Sequence, residues 1–462
     1  MIDFNKATKG IIREGAEFVD IRTLDVDTEA IGIEDSNISA IQHKLDFSYS
    51  VRAFYKGAWG MVYGNNPEKA KESAEKAWKI AKVRSEKVKN RFSLADFKAI
   101  KDNVKMKVKQ DVADIDIKDK LNELFVYDSL VKKEDVKYRN VSAVFSSATH
   151  NYFNSQGSEI SEKRNGFNFR LLITSTENNR IFRAYARVGM MAGYELFKGL
   201  NKEKLVEETY QKLKRSMIAK QAPAGRFPVI IDSELCEVFF HEAVGHACEA
   251  DAVLEKSSIL GDKLGKKIAP SSLTLVDTPR VKTEFGYYKY DDEGIPANET
   301  VLIKNGILNS FMQSRETASI MNKIPTGNGR AESPAAIPYP RMSNTYLKPG
   351  KYQLKELLDG VKLGVYAKGS SGGVVEPNNG NFLFNAEEAF LIENGKITTP
   401  LSDVSLAGNI LFILPRIEKI GKDAKCTYFG GRCGKKGQWV PVGGKAPHIK
   451  ISEAMVGGQN VK

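Results

Sequence analysis

The first half of the chain alternates between two kinds of hydrophobic pattern. Residues 17–42 and 47–65 carry β-branched and aromatic side chains interrupted by turn residues, which predicts strands. Residues 67–84 begin with a proline and then place alanines at helical spacing, which predicts a helix. Further elements are predicted as helices near 115–132 and 199–219 and as strands through 169–176. We therefore expect residues 1–220 to form an α/β domain with a mixed sheet and flanking helices.

The second half of the chain has a more strand-like pattern and begins after a composition break at residues 219–227. Residues 300–311 and 389–400 each place an Asn-Gly pair between two apolar runs. This pattern is typical of a hairpin whose turn needs positive φ at both central positions. Helical spacing is conspicuous only in residues 233–251. We expect residues 221–462 to form a β-rich antiparallel domain that carries one helix, which makes the whole chain α+β.

The composition of the 462 residues is typical of a globular protein, with 42% hydrophobic and 27% charged residues. The 69 basic and 57 acidic residues give a net charge of +12. A basic surface can attract nucleic acid or acidic substrates. However, segments such as residues 201–220 mix both signs of charge at helical spacing. We interpret the charge as a solvated surface and do not expect nucleic acid as a partner.

The cysteines and the amino-terminal segment indicate the cellular compartment in which the protein is expected. Cys236, Cys248, Cys426 and Cys433 are too few and too scattered for a disulfide framework, which fits a reducing compartment. Residues 1–18 carry charges and glycines where a signal peptide has an apolar segment. The sequence lacks a stretch that approaches the roughly 20 apolar residues of a membrane span. We therefore predict a cytoplasmic protein with no membrane partner.

The predicted helix at residues 233–251 contains His241, Glu242 and His246 in a HExxxH pattern. Two neutral imidazoles can bind zinc, and an adjacent glutamate can accept a proton from water that the metal has made more acidic. The pattern is therefore typical of a zinc-dependent hydrolase. The alternative is a pair of unrelated histidines on a partly buried helix. These residues alone favour neither interpretation.

The spacing of the two histidines requires a distorted helix if both are to bind one ion. Residues five apart lie about 140° apart around a regular α-helix, so His241 and His246 could not both face one ion. Gly245 lies between them, where a π-bulge or a kink is tolerated. We therefore predict a bent helix at this point.

Zinc also needs a third protein ligand, and residues 426–449 offer three candidates. Cys433 lies in a glycine-rich turn, where the backbone can bring a thiolate close to an ion. Cys426 and His448 are the other two candidates. The alternative role for Cys433 is that of a small buried hydrophobic residue. Spacing alone does not choose among the three.

Residues 239–251 resemble the active-site helix of the TldD/PmbA metalloprotease family, also called modulators of DNA gyrase. The resemblance continues in the same order over nearly the whole chain. The other segments that carry it are residues 50–65, 154–157, 290–308, 325–330, 340–350, 364–375, 387–398 and 432–447. Because the chain keeps the HExxxH pattern, it is similar to the TldD-like catalytic branch rather than to the PmbA-like (TldE) partners, which have lost it.

The resemblance implies a peptidase with an α/β amino-terminal domain and a β-rich carboxyl-terminal domain. It implies that zinc is held by His241, His246 and Cys433, and that Glu242 is the catalytic acid and base. It gives no role to the other two candidate ligands. Family members pair as dimers and cleave small, unfolded or extended peptides. The expected partner is therefore either a second copy or a PmbA/TldE-like subunit.

Other functions remain as alternatives at this point. The protein could be a non-catalytic binding or regulatory protein that is stabilised by zinc, but Glu242 argues against this because a purely structural site needs no base. A nucleic-acid-associated regulator is suggested by the net charge of +12. Neither alternative explains the HExxxH pattern together with Cys433 as simply as a peptidase does.

Three further segments carry weaker expectations. The glycine-rich residues 370–375 could pair with a peptide by strand addition or form an ordinary turn, and neither is favoured. Glu249 and Asp251 could orient the metal ligands without binding the ion themselves. The favoured interpretation is that they form a solvated helix end. Residues 142–165 are expected to be short loops without a functional role.

Overall fold

The computed structural model describes residues 2–428 and 430–457. Phe429, within the predicted ligand segment 426–449, lies outside the described residues, as do residues 458–462 of the predicted carboxyl-terminal domain. The described chain forms three large sheets of seven or eight strands, one two-stranded sheet and a set of mostly short helices. The predicted α+β class is confirmed.

The amino-terminal sheet is mixed, as predicted. In spatial order its strands are Thr283–Glu284, Arg180–Met191, Glu159–Glu177, Tyr138–Asn154, Phe18–Glu34, Asn37–Tyr55 and Ala58–Gly64, with Lys101–Lys105 against Glu159–Glu177. The strand Lys101–Lys105 runs parallel to its partner, and the other pairs are antiparallel. The expectation of loops at residues 142–165 is wrong, because they form a long hairpin in this sheet. Its inward side chains include Ala143 and Ser147, which give little hydrophobic signal in the sequence.

The three helices predicted in the first half are present. The helices of this half are Phe4–Arg13, Ala70–Ser85, Ile117–Val131, Tyr194–Lys198 and Lys202–Met217, with short 3₁₀ turns at Pro67–Lys69 and Val112–Asp114. The helices at 117–131 and 202–217 bury Leu124, Val131 and Leu213 against one face of the sheet. The opposite face carries Arg22 and Arg52, which contact the second half of the chain.

Two large sheets form the second half of the chain. The seven-stranded sheet contains Leu275–Asp277, Thr300–Lys304, Ile307–Leu308, Asn344–Leu347, Lys425–Cys426, Gly431–Lys435 and Gln438–Ala446. The eight-stranded sheet contains Lys220–Gln221, Gly225–Ile231, Leu363–Glu376, Asn381–Glu393, Lys396–Ser402, Ser405–Asn409, Ile417–Ile420 and Ile449–Gly457. A two-stranded sheet joins Gly329–Arg330 to Tyr339–Pro340. Most pairs are antiparallel, as predicted, and three pairs are parallel.

Both Asn-Gly hairpins predicted from the sequence are present. Asn305 and Gly306 have φ values of 51° and 81° and join Thr300–Lys304 to Ile307–Leu308. Asn394 and Gly395 have φ values of 50° and 75° and join the strands Asn381–Glu393 and Lys396–Ser402 of the second hairpin. Positive φ at both positions is the conformation that lets a two-residue turn follow the twist of its strands.

The helix predicted at residues 233–251 lies between the two large sheets of the second half. The helical segments of this half are Ser233–Phe240, Ala250–Leu254, Arg315–Ile320, Leu354–Leu358 and Ile410–Ile413, with a π turn at His241–Gly245 and 3₁₀ turns at His246–Cys248 and Leu414–Arg416. Ser233–Phe240 packs against Leu363–Glu376 on one side and Gln438–Ala446 on the other. In the part of the chain that the structure describes, no helix is both long and apolar enough to cross a membrane.

The two halves are joined by paired strands and buried charges. The strand Thr283–Glu284 from the second half extends the amino-terminal sheet by pairing with Met190 and Met191. Arg52 forms a buried ion pair with Asp20 and lies 3.6 Å from Glu293 of the second half. The division of the chain at residue 220 remains a prediction.

Candidate metal centre

The helix that carries the HExxxH pattern begins with a side-chain cap and ends in a distortion. The Asp232 carboxylate accepts a hydrogen bond from the Leu235 backbone N–H, which fixes the first turn. After Phe240 the helix changes from α to π, and the His246 N–H donates to the carbonyl of His241, five residues earlier. The predicted distortion of this helix is therefore confirmed. A π turn brings residues five apart towards the same face, which a regular α-helix would not do.

The π turn is packed closely against a loop from the second half. A Cβ atom added to Gly245 would lie 1.9 Å from the sulfur of Met342, which is fully buried. A glycine is therefore required at position 245 because the Met342 side chain approaches the backbone closely, and not because the backbone has a positive φ.

The structure brings together the side chains of His241, His246 and Cys433. One ligand atom from each lies within 4.8 Å of the others. The Cys433 Sγ and His246 Nε2 atoms are 3.5 Å apart, and the two imidazole rings are nearly perpendicular with centroids 5.4 Å apart. All three side chains are buried or nearly so. Such a group of two imidazoles and one thiolate can hold a divalent metal ion.

Cys433 reaches the helix from the hairpin Gly431–Lys435 and Gln438–Ala446. It pairs with Val440 and turns its side chain inward, whereas its neighbours Arg432 and Gly434 are exposed. This alternation follows from strand geometry, which sends successive side chains to opposite faces.

Glu242 lies beside this group. One of its carboxylate oxygens is 3.6 Å from His246 Nε2, and its side chain remains 27% exposed. Glu242 is thus the most accessible polar side chain of the HExxxH pattern, since the two histidines are 7% and 12% exposed. A carboxylate in this position can exchange protons with a molecule that approaches the three clustered side chains.

A second layer of charged groups surrounds the histidines. Glu249 accepts a hydrogen bond at 3.1 Å from His246 Nδ1 and lies 3.0 Å from the Lys435 ammonium. The same ammonium lies 2.7 Å from Asp251. Both carboxylates are buried, at 2% and 8% exposure. The expectation of a solvated helix end is therefore wrong, because the hairpin that carries Lys435 covers these residues.

Arg341 is part of this layer and had no role in the sequence analysis. Its guanidinium Nη2 donates to the Cys433 carbonyl at 2.6 Å and to the Cys433 sulfur at 3.3 Å. Its Nε atom lies 3.9 Å from Glu249. The only sequence signal was that Arg341 falls in residues 340–350, one of the segments that resemble the family. Local patterns cannot show that such a residue reaches a cysteine 92 positions away.

The clustered side chains and Glu249 shift one another's pKa. Burial lowers the pKa of a histidine, but at His246 the Glu249 carboxylate and Cys433 outweigh it, so its pKa lies well above the usual value. The pKa of His241 is raised as well, because contacts with Cys433 outweigh burial. Burial raises the pKa of a thiol, but the two imidazoles outweigh it and hold the pKa of Cys433 well below the usual range. Glu249 is ionised, because His246 and Lys435 outweigh burial and lower its pKa to about 2.

The other two candidate ligands lie elsewhere. Cys426 forms a short strand against Lys445 and is not part of the His-His-Cys group. His448 is held by Asp423, whose carboxylate is 2.5 Å from Nδ1, and by the Tyr366 hydroxyl 2.9 Å from Nε2. Each residue thus has a local structural partner away from the three clustered side chains.

A cavity of about 670 Å³ lies between the amino-terminal sheet and the second half. Gly431 and Arg432, immediately before Cys433, line it, as do Trp439 and Tyr288. Its size is within the range of ordinary ligand sites.

Residues 370–375 lie in the strand Leu363–Glu376, where they are mostly exposed and pair on one side with Asn381–Glu393. Peptide addition at that strand remains a prediction.

Fold and site together define an α+β protein with a buried His-His-Cys group and an adjacent carboxylate. Three domain profiles match the chain: the PmbA/TldA metallopeptidase domain 1 at residues 19–81, the central domain at residues 110–217 and the C-terminal domain at residues 224–458. The chain belongs to the PmbA/TldD metallopeptidase family.

Relatives of similar length support this assignment. The chain is 38% identical to a metalloprotease of Methanocaldococcus jannaschii, with 96% of this chain and 97% of that protein covered. It is 30% identical to a zinc metalloprotease TldD homolog of Saccharolobus solfataricus, with 96% and 97% covered. The crystal structure of TldE from Thermococcus kodakarensis has the same fold, with a TM-score of 0.78, 21% identity and 97% and 99% coverage.

Proposed function

We propose that this protein is a zinc-dependent peptidase in which His241, His246 and Cys433 hold the metal ion and Glu242 is the catalytic acid and base. The observation that carries the proposal is the convergence of the three ligand atoms within 4.8 Å, with the Glu242 carboxylate 3.6 Å from His246 Nε2. The names of the relatives, which include metalloproteases and a zinc metalloprotease, support the same activity.

The separation of one pair of ligand atoms, Cys433 Sγ and His246 Nε2, is compatible with zinc. In tetrahedral geometry, a Zn–N bond of about 2.1 Å and a Zn–S bond of about 2.3 Å separate the nitrogen and sulfur by about 3.6 Å. The observed distance from Cys433 Sγ to His246 Nε2 is 3.5 Å. Three protein ligands leave a fourth position open, which is characteristic of catalytic rather than structural zinc.

The chemistry assigned to the chain is amide hydrolysis. A bound zinc ion supplies Lewis acidity, which makes water more acidic and polarises a carbonyl group. Glu242 accepts the proton of the attacking water and delivers it to the leaving amine. Glu249 accepts a hydrogen bond from His246 Nδ1, which leaves the lone pair of the imidazole on Nε2, the atom that would bind the ion.

The proposed substrates are small, unfolded or extended peptides. The cavity of about 670 Å³ supports this, because it borders the strand that carries Cys433 and presents both aromatic and charged side chains. A pairing with a second copy or with a TldE-like subunit is part of the proposal. The four free cysteines support a reducing, cytoplasmic location.

The test combines metal content with hydrolysis of an unfolded peptide. The wild type should bind about one zinc per chain and cleave the peptide. Glu242→Ala should keep the metal but lose roughly 10²- to 10⁴-fold in turnover, because proton transfer is lost. Cys433→Ser should lose metal, whereas Cys426→Ser, the matched control, should retain it.

Two results would contradict the proposal. If Glu242→Ala cleaves as well as the wild type, Glu242 is not the catalytic base. If the wild type binds zinc and cleaves nothing, either alone or with a TldE-like subunit added, the alternative of a non-catalytic zinc-stabilised binding or regulatory protein replaces it.

A further inference from the structure

Arg341 is fully buried, which few charged side chains of the described residues are. Its backbone is fixed on both sides: its N–H donates to the Asn328 carbonyl, and its own carbonyl accepts from the Asn328 side chain at 3.0 Å. The side chain then extends to the hairpin that carries Cys433 and places Nη2 between the carbonyl oxygen and the sulfur of that residue. Backbone and side chain together thus hold the guanidinium in one position.

Burial of this guanidinium costs desolvation free energy, and its surroundings offset this cost only in part. Its nearest carboxylate oxygen is Glu249 Oε1, at 3.9 Å from Nε. Within the described chain, the Nε and Nη1 atoms have no hydrogen-bond partner. An arginine kept only for charge balance would be expected to make a closer, two-pronged contact with a carboxylate. The hydrogen bonds of Arg341 are instead made with Cys433.

A donor aimed at a ligand sulfur has a definite electronic effect. A thiolate donates more electron density to a metal ion than a neutral imidazole does, and this weakens the ion as a Lewis acid. Hydrogen bonding to a cysteine ligand is one of the means by which proteins tune a metal centre. A cationic donor has a stronger effect than a neutral one, since hydrogen bonds to charged groups are the strong ones.

We propose that Arg341 is a positioning residue that fixes the Cys433 thiolate and withdraws electron density from its sulfur, so that a cysteine-ligated ion remains a strong Lewis acid. This inference rests on the proposed function, because it takes Cys433 to be a metal ligand. It assigns to Arg341 a role opposite to that of Glu249, whose carboxylate makes the His246 imidazole a better donor.

The experiment uses the full-length protein loaded with Co²⁺, whose thiolate-to-metal charge-transfer absorption reports directly on the sulfur. Arg341→Lys keeps the positive charge but removes the planar fork that reaches the sulfur. Its absorption band should move to lower energy, because the sulfur becomes a better donor. Peptide turnover should fall by about 10- to 100-fold with little change in KM.

Arg330→Lys is the matched control. Arg330 is also a buried arginine in the same region, but its hydrogen bond goes to the Met342 carbonyl at 2.6 Å. Its substitution should leave the charge-transfer band where it is in the wild type. If the role of Arg341 were purely structural, the charge-transfer band would stay at its wild-type position in both Arg341→Lys and Arg330→Lys.

The outcomes separate this inference from the proposed function. A wild-type protein without a thiolate-to-cobalt band would overturn both, because Cys433 would then not be a ligand. A wild-type band that stays unchanged in folded Arg341→Lys would overturn only the role of Arg341. If Arg341→Lys does not fold, the charge-balanced Arg341→Gln/Glu249→Gln protein is compared with Glu249→Gln alone, and the same shift is expected.

Discussion

At the scale of single residues, the candidate metal centre has buried charges in direct contact with its proposed ligands. Glu249 links His246 Nδ1 to the Lys435 ammonium, and Lys435 in turn contacts Asp251. The two contacts of Lys435 cross from the helix to the hairpin that carries Cys433. The charged layer therefore fixes both the orientation of the imidazole and the distance between the two elements.

Glu249→Gln should weaken metal binding by about 10- to 100-fold, because the amide holds the His246 ring less firmly than a carboxylate does. The measurement is the zinc dissociation constant by competition with a chelator. Glu255→Gln is the control, since Glu255 is exposed and contacts Lys436 rather than a histidine. Equal affinities for the two variants would contradict the role given to Glu249.

At the scale of single elements, the π turn decides whether the HExxxH pattern can bind one ion. The α-helical segment Ser233–Phe240 is anchored by apolar side chains such as Leu235 and Phe239 in the core of the second half. The turn that follows lies against Met342 with no space for a side chain at Gly245. Packing and local backbone geometry are therefore coupled at this position.

Gly245→Ala should lower the free energy of unfolding by about 1–3 kcal/mol, because the new methyl group must displace the buried Met342 side chain. Zinc affinity should fall with it, since the π turn sets the positions of His241 and His246 relative to each other. The measurement is denaturant unfolding together with zinc titration.

The same chemical change elsewhere provides the control for this prediction. Gly10 lies in the helix Phe4–Arg13, where an added Cβ meets no atom within 4 Å. Gly10→Ala should therefore stabilise the protein by about 0.5–1 kcal/mol. Adding Met342→Ala should recover part of the zinc affinity of Gly245→Ala, and failure to do so would count against the packing explanation.

At the scale of the whole molecule, the two halves meet through a strand that carries a buried acid. Glu284 belongs to the strand that extends the amino-terminal sheet, and its side chain is fully buried. Burial raises its pKa from 4.5 to about 7, although contacts with Cys426, the Gly444 N–H and Lys445 act in the opposite direction. The joint between the halves is therefore formed with this carboxyl group protonated at mildly acidic pH.

This raised pKa predicts a loss of stability as pH rises. Between pH values near the unfolded and folded pKa, the folded state binds more protons than the unfolded state, so the free energy of unfolding falls with increasing pH. The decline begins near pH 4.5 and is complete above about pH 7. The full shift corresponds to about 3 kcal/mol.

The check is denaturant unfolding of the wild type and Glu284→Gln near pH 5 and near pH 8. The wild type should lose stability relative to the variant as the pH rises. Glu299→Gln, at an exposed position that contacts Lys348, should follow the wild type at both pH values. A wild type and a Glu284→Gln protein with parallel pH profiles would contradict the prediction.

The elements that the sequence predicted well are those with a local cause. The helices at Ala70–Ser85, Ile117–Val131 and Lys202–Met217 follow from hydrophobic spacing over a few turns. The two Asn-Gly hairpins follow from the φ values that their turns need. The hairpin around residues 142–165 was missed because small and polar side chains fill part of its buried face, and only the neighbouring strands show that this face is inside.

By itself, the sequence determined the α+β class, the HExxxH helix and the need for a distortion within it, because each depends on residues close together in the chain. Spacing left three candidates for the third ligand, and only the family resemblance favoured Cys433. The tertiary structure decided which side chains meet: Cys433 reaches His246 across 187 positions, and Arg341, Glu249 and Lys435 gather around them. Such contacts depend on how two sheets pack against one helix, and no local pattern records that packing.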